Sequence, residues 1–130
     1  MANDTWFYEN FEHTGSAIGF RIVRKLDEVQ SPFQNIEIYQ TTDFGNLMVI
    51  DGAMMVTTRE NFFYHEMMSH AAVYTHPAPR NIVIIGGGDC GTLRECLKHA
   101  DVESVVQCDI DEQVTRMAEK YFPELCESNG

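Results

Sequence analysis

Residues 82–96 read IVIIGGGDCGTLREC, and this stretch decides the fold of the second half of the chain. The apolar run at 81–85 is typical of a strand that is buried on both faces of a parallel sheet. Gly86, Gly88 and Gly91 then fit the G-x-G-x-x-G pattern and lie before a predicted helix. Glycines at such positions permit a tight turn and let a ligand approach the backbone. The stretch therefore predicts a strand, a nucleotide-binding turn and a helix.

An acidic residue follows the next predicted strand, at 104–108. Asp109 lies 23 positions after Gly86, where an acid accepts hydrogen bonds from ribose hydroxyls in this architecture. Asp109 could instead cap the following helix, but Asp111 is better placed for that, directly before EQVTRMAEKY. We therefore predict that Asp109 binds a ribose and that Asp111 caps the helix at 111–121.

Asp89 is a negative charge in the middle of the glycine turn. Like charges a few ångströms apart in a partly dry cleft lose several kcal/mol, so this carboxylate disfavours a pyrophosphate. It favours a nucleoside with a cationic tail, such as S-adenosylmethionine or a relative of it. The alternative is that Asp89 only caps the helix predicted at 92–99.

The first part of the chain, residues 1–58, predicts a β-meander domain of roughly four to six strands. Asp51-Gly52 separates two short apolar runs and is a strong hairpin signal, and Gly45 marks a second turn. Ile18, Phe20 and Ile22 alternate in step before the pattern slips.

Residues 59–79 predict a connecting helix and a boundary. Apolar residues recur at helical spacing, and we expect them to form one stripe: Phe63, Met67, His70 or Ala71, and Tyr74. The prolines of HPAP at 76–79 end the helix. His65 and His70 are five residues apart, so their rings point about 140° apart and cannot form an HExxH zinc site.

Only two βα units follow the boundary, at 80–130. Doubly wound sheets normally contain about five or more strands, and two parallel strands would leave an apolar sheet edge open. The predicted class is α/β: a small β-meander domain followed by the first βαβα half of a Rossmann-like methyltransferase fold. We expect the sequence to be the front part of a larger protein.

The amino-acid composition indicates which classes of molecule the protein could bind. The 130 residues carry 20 Asp and Glu against nine Lys and Arg, for a net charge of −11. This charge suits a cationic small molecule better than nucleic acid, although it could serve only solubility. The sequence shows neither an apolar leader nor a run approaching the roughly 18 apolar residues of a membrane span. The four cysteines form no CxxC pair, so we expect a reduced cytoplasmic protein without a metal site.

Three segments together resemble the spermidine synthases, the polyamine aminopropyltransferases. They are QSPFQNIEIYQTTDFGNLMVIDG, RENFFYHEMMSHAAVYTHPAPRNIVIIGGGDCGTLRE and VESVVQCDIDEQVTRMAEKYFPE, within residues 6–124. The YHEM helix, the HPxP boundary, the GGGDxG turn and the DID strand end occur in the same order and spacing as in that family. Generic Rossmann proteins share neither of the first two.

The resemblance implies a function for the parent protein. It would transfer an aminopropyl group from decarboxylated S-adenosylmethionine, a co-substrate, to putrescine, giving spermidine and methylthioadenosine. No cofactor or metal is implied, and family members are commonly homodimers or homotetramers. The implied donor-binding residues are Gln34, Gly86, Gly88, Asp89 and Asp109. The implied diamine-binding residues are Tyr64, His65 and Asp89, with Trp6 at the amine end of the cleft.

The resemblance also shows departures. Cys90 stands where many family members have glycine, and Asp109 stands where others have the longer glutamate. The family's general base, an Asp in a D-x-x-D-P-type segment, lies beyond residue 130, so no catalytic residue can be assigned and we expect this chain alone to lack turnover. Two alternatives remain open: an S-adenosylmethionine-dependent methyltransferase and a non-catalytic, synthase-like binding module.

Overall fold

A computed structural model describes residues 5–127. The chain divides into two compact units, which we call the N-terminal unit (Met1–Arg59) and the C-terminal unit (Glu60–Gly130). The predicted order, a β-region followed by a βαβ region, is confirmed.

Between residues 5 and 59, the N-terminal unit is one antiparallel sheet of five strands in sequential order. Its strands are β1 (Thr5–Phe11), β2 (Ser16–Gln30), β3 (Asn35–Thr41), β4 (Asn46–Ile50) and β5 (Ala53–Thr57). Phe20 and Ile22 of β2 are buried, whereas Val23 is exposed and the pairing of β2 with β3 shifts register directly after Ile22. The predicted slip in the alternation is therefore a β-bulge.

The turns follow the predicted residues. Asp51 and Gly52, between β4 and β5, both have positive φ, 48° and 82°, as a two-residue hairpin turn of the right twist requires. Gly45, between β3 and β4, has φ 71°, and a Cβ there would lie 2.6 Å from the Cβ of Thr58. The predicted hairpin at Asp51-Gly52 and the predicted turn at Gly45 are both confirmed.

The sheet curls until its two edge strands approach each other. A carboxylate oxygen of Glu9 on β1 accepts a hydrogen bond of 2.8 Å from the backbone N–H of Met54 on β5. This bond satisfies an edge donor that would otherwise need water. The curled sheet surrounds a hydrophobic cluster of Phe20, Ile22, Leu47 and Val49, packed against Phe7, Tyr39, Phe44 and Met54.

The C-terminal unit contains four helices and two parallel strands among its described residues. They are α1 (Asn61–Thr75), β6 (Asn81–Ile85), α2 (Gly91–Cys96), β7 (Ser104–Cys108), α3 (Glu112–Tyr121) and α4 (Pro123–Cys126). The strands pair from Asn81 opposite Ser104 to Ile85 opposite Cys108. Because parallel strands point the same way, the two turns that follow β6 and β7 meet at one end of the sheet.

The prediction that β6 is buried on both faces is wrong. Its side chains alternate, and Val83 and Ile85 are exposed, as is Val106 on β7. The described residues cover only one face of this two-stranded sheet. An unbroken apolar run therefore shows only that both faces of a strand could be buried. It does not show that residues of this chain cover both faces.

The predicted apolar stripe on α1 is also wrong. Phe63, Met67 and Tyr74 are exposed, whereas the buried side of the helix consists of His65, Ser69 and Val73 at intervals of four. Two of these three are polar, so hydropathy alone points to the wrong side. Burial is possible because their polar groups are bonded: the Ser69 hydroxyl donates to the His65 carbonyl at 2.8 Å.

Helix α3 lies within the helix predicted at 111–121. Val114, Met117 and Ala118 are buried, and the N-cap Asp111 accepts from the N–H of Gln113 at 3.0 Å, which confirms the predicted cap. Within residues 5–127, no helix is long and apolar enough to cross a membrane.

Candidate functional site

The glycine turn after β6, residues 86–91, changes direction through residues with positive φ. Gly86 and Gly87 have φ of 83° and 72°, a region that glycine enters without steric cost. The N–H of Gly86 donates to the Cys108 carbonyl at 2.8 Å, and the N–H of Cys90 donates to the Gly87 carbonyl at 2.9 Å. These bonds join the turn to the end of β7 and close it on itself.

Cys90 occupies a turn position where many members of the resembled family have glycine, and its backbone is strained there. Its φ is 68°, in the left-handed region that side chains rarely enter. Its thiol lies 3.6 Å from the Gly88 carbonyl, so the side chain has room within the turn. The strain, and not a lack of space, is therefore what distinguishes cysteine from glycine here.

Asp89 lies at the centre of the turn, and each carboxylate oxygen has its own partner. One accepts the N–H of Gly91, the first residue of α2, at 2.9 Å. The other lies 3.0 Å from Nε2 of His65 on α1. Asp89 therefore does bind the start of the helix, as the capping alternative expected, but it is also held by a side chain 24 residues earlier.

The adjacent residues Tyr64 and His65 have opposite environments. Tyr64 is 59% exposed, whereas His65 is 1% exposed. The His65 ring lies so close over Gly91 that a Cβ on that glycine would overlap it. The ring is therefore enclosed by the backbone of α2, and its Nδ1 lies 3.4 Å from the amide oxygen of Asn61.

Among the residues that the structure describes, Asp109, after β7, accepts hydrogen bonds only from backbone groups. One carboxylate oxygen accepts from Gly88 N–H at 2.8 Å and the other accepts from Asp111 N–H at 2.9 Å. A Cβ on Gly88 would lie 2.9 Å from the first of these oxygens. The glycine at this position thus makes room for the carboxylate predicted to bind ribose.

Two further residues singled out in the sequence belong to the N-terminal unit. Gln34 lies between β2 and β3, where its backbone N–H and carbonyl both bond to the Ser31 hydroxyl. Trp6 on β1 is 41% exposed, stacks on Tyr8 with ring centroids 5.8 Å apart, and lies beneath the Arg21 guanidinium.

Cys126 on α4 packs beneath the glycine turn. Its sulfur lies 3.9 Å from the Asp89 carbonyl, and burial together with the neighbouring Cys90 thiol raises the pKa of Cys126 to about 12. Cys126 is only partly buried, but a thiol with so high a pKa is almost entirely protonated near neutral pH and is therefore a poor nucleophile. None of the four cysteines forms a disulfide.

At one end of the β6–β7 sheet, hydrogen bonds thus join His65 to Asp89 and Gly88 to Asp109. The two pairs are adjacent because Gly88 and Asp89 are neighbours in the chain. Asn61 was not identified from the sequence, and Gly91 was identified only as a glycine of the turn, not as the residue that makes room for the His65 ring. The spacing of four between Asn61 and His65 places both on one helix face, which is the signal that could have identified Asn61. Among residues 5–127, no group of three or more His, Cys, Asp or Glu side chains is arranged to hold a metal ion.

Sequence profiles of two domain families match the chain. Residues 61–129 match the spermine/spermidine synthase domain, and residues 5–58 match the spermidine synthase tetramerisation domain. The polyamine aminopropyltransferase of Xanthomonas axonopodis pv. citri (strain 306) is 77% identical over 128 residues, which cover 98% of this chain. That of Xylella fastidiosa (strain M23) is 75% identical over 128 residues, again 98% of this chain.

Two solved structures have the same fold over 95% of this chain. A spermidine synthase in complex with the transition-state analogue AdoDATO has a TM-score of 0.88 and covers the chain with 42% of its own length. The spermidine synthase of Thermotoga maritima has a TM-score of 0.87, with 43% of its length covered. Each is 36% identical to this chain.

The chain spans 45% of the length of the two aminopropyltransferases it matches. Within that span the glycine turn, the acid after β7 and the α1 helix lie in the part matched by the synthase domain. The chain belongs to the spermine/spermidine synthase family.

Proposed function

We propose that the full-length protein transfers an aminopropyl group from decarboxylated S-adenosylmethionine to putrescine, giving spermidine and methylthioadenosine. Family membership and the names of the relatives support this assignment. The observation that carries it is Asp89: a carboxylate in the glycine turn suits a cationic donor and not a pyrophosphate.

The proposed step exchanges one bond for another at a single carbon. The amine nitrogen of putrescine forms a bond to the aminopropyl carbon beside the sulfonium, and the carbon–sulfur bond breaks. The electron pair of that bond returns to sulfur and leaves neutral methylthioadenosine, while the amine gives up one proton. An alkylamine has a pKa of about 10 and is mostly protonated near neutral pH, so a base must accept protons. The residue for that role is not assigned in this chain.

The described residues supply binding and orientation in this proposal. Asp109 binds the ribose, with Gly86 and Gly88 letting the nucleoside approach the backbone. Asp89 faces the ammonium of the aminopropyl group, and the exposed Tyr64 contacts the diamine. Fixed placement of both reactants removes much of the entropic barrier, and the sulfonium is already a good leaving group.

Gln34 of the N-terminal unit is the remaining proposed donor contact, on its nucleoside part, and Trp6 the proposed contact at the amine end. We also propose a homo-oligomer, a dimer or a tetramer, which is supported by the match of residues 5–58 to a tetramerisation domain. A cytoplasmic location is supported by four unpaired cysteine thiols. The donor is a co-substrate, and no cofactor is proposed.

A transfer assay tests the assignment. The full-length protein, mixed with putrescine and decarboxylated S-adenosylmethionine, should release methylthioadenosine and spermidine in equal amounts. A protein that releases no methylthioadenosine refutes the proposal. The carboxylated S-adenosylmethionine is the matched control, and a preference for it would favour a methyltransferase. The 130-residue chain alone should show no turnover, and measurable turnover by it would contradict our expectation that a residue outside it is essential.

A further inference from the structure

His65 is enclosed in the C-terminal unit and is not open to a soluble ligand. Its side chain is 1% exposed, while that of Tyr64 is 59% exposed. The Gly91 backbone closes one side of the ring so tightly that no side chain fits there. A diamine that arrives from solvent can therefore reach the Tyr64 ring but not the His65 ring.

The ring nevertheless makes one short polar contact with a residue of the site. Its Nε2 lies 3.0 Å from a carboxylate oxygen of Asp89. Because an ionised carboxylate can only accept, Nε2 carries the proton of this hydrogen bond. Hydrogen bonds to charged groups are among the strongest in proteins, so this contact restrains Asp89 effectively.

The restraint leaves Asp89 with a defined orientation. Its other oxygen is fixed by the Gly91 N–H at 2.9 Å, so the carboxylate is held at two points. Its side chain is 17% exposed, and a carboxylate has about four lone-pair sites. Acceptor capacity therefore remains for a ligand on the open side.

We infer that His65 is a positioning residue, which fixes the Asp89 carboxylate toward the cationic end of the donor and does not itself contact the diamine. The inference rests on the proposed function for the identity of the ligand, and on the contacts of Asp89 with His65 and Gly91 for the geometry. It changes the role that the family resemblance implies for His65, which was direct diamine binding.

A double-mutant cycle in the full-length protein separates the two roles. His65→Leu removes the imidazole N–H that donates to Asp89 and keeps a side chain of nearly the same volume. Asp89→Asn removes the carboxylate charge. If His65 acts through Asp89, His65→Leu weakens binding of decarboxylated S-adenosylmethionine roughly 10- to 100-fold in the wild-type background. In the Asp89→Asn background the same change should have little further effect, because the two residues form one unit. Binding of methylthioadenosine, which lacks the aminopropyl ammonium, should change little in either background.

Two control variants and one kinetic measurement test this interpretation of the double-mutant cycle. His65→Gln keeps an N–H donor of similar reach and should restore much of the donor affinity, and it serves if His65→Leu does not fold. His70→Gln makes the same substitution on the same helix, outside the site, and should leave donor binding within about twofold. An increase in the KM for putrescine by the same factor in both Asp89 backgrounds would mean direct diamine contact and would overturn the inference.

A measurement without substrate keeps the inference independent of the assigned reaction. In the full-length protein with labelled histidine, the ¹⁵N signal of His65 Nε2 should be that of a protonated nitrogen and should shift in Asp89→Asn. A signal that does not respond to Asp89→Asn would refute the contact itself. Absence of aminopropyl transfer by the wild-type protein would instead refute the proposed function, and the ¹⁵N result would still decide the role of His65.

Discussion

The turns after β6 and β7 each hold an aspartate at the same end of the sheet, but they hold it differently. Asp109 is bonded by two backbone N–H groups, those of Gly88 and Asp111. Asp89 is bonded by one backbone N–H and by the buried side chain of His65. Within the described part of the chain, the orientation of Asp109 thus depends on main-chain donors, whereas the orientation of Asp89 can be changed by a substitution in α1.

The largest effect on stability is expected from Gly91→Ala, which changes the turn that holds Asp89. The new Cβ would overlap the buried His65 ring, and the ring has no exposed side to move into. Such overpacking, with loss of a buried hydrogen bond, should lower the free energy of unfolding by about 3 kcal/mol.

Denaturant unfolding of the full-length protein measures this loss. Cys90→Ala is the matched control in the same turn, because it removes only weak sulfur contacts, and it should cost less than about 1 kcal/mol. Equal unfolding midpoints for Gly91→Ala and the wild-type protein would show that the ring does not lie where we describe it.

A second substitution, Gly88→Ala, acts on the Asp109 side. Its Cβ would lie 2.9 Å from an Asp109 oxygen and 3.1 Å from the Val114 Cβ. The carboxylate must move, so the protein should lose about 2 kcal/mol of stability. Binding of methylthioadenosine, measured by calorimetry, should weaken roughly tenfold or more because the ribose contact is displaced. Unchanged affinity for methylthioadenosine would contradict the ribose assignment of Asp109.

A smaller effect is expected at the helix cap that follows Asp109. Asp111→Ala removes the acceptor for the Gln113 N–H and should lower stability by about 1 kcal/mol. Asp111→Asn should recover most of this loss, since asparagine caps helices as well as aspartate does. Thermal unfolding tests the pair, with Asp101→Ala at an exposed site as the control. An equal loss for the alanine and asparagine variants would argue against a capping role.

The smallest effect is expected in the rate at which Cys126 is alkylated. Cys126 lies against the turn that holds Asp89, so its reactivity depends on how tightly that turn is packed. Partial burial, together with the neighbouring Cys90 thiol, raises the pKa of Cys126 to about 12, so near pH 9 only a small fraction of the molecules carries the reactive thiolate. Peptide mass spectrometry should find the exposed Cys108 alkylated first, and Cys126 should react only as the pH approaches its pKa. In His65→Leu, Cys126 should react faster at a given pH if the turn loosens. Similar rates for the two cysteines at pH 9 would contradict the raised pKa of Cys126.

Much of the fold could be predicted because its signals are local. Asp51-Gly52 and Gly45 mark turns through their backbone preferences, and Asp111 caps α3 from two residues away. The glycine pattern with Asp89 and Asp109 could also be read from spacing. These features depend on neighbours in the sequence.

The errors occurred where burial depends on distant parts of the chain. The Phe63 and Met67 side of α1 is the more apolar one, yet the helix buries His65 and Ser69 because their polar groups find partners. Likewise, Val83 looks like a core residue, but nothing among the described residues covers it. The pairing of His65 with Asp89 joins residues 24 positions apart, and no periodicity encodes it.

The measurement that tests the central claim most directly compares two ligands on one variant. Asp89→Asn in the full-length protein keeps the shape of the side chain and removes its charge. Asp89 should face the ammonium of the aminopropyl group, so the variant should bind decarboxylated S-adenosylmethionine roughly 30-fold more weakly. Its affinity for methylthioadenosine should stay within about threefold of the wild-type value. An equal loss for both ligands would mean that Asp89 serves only to fasten the start of α2, and it would contradict the account.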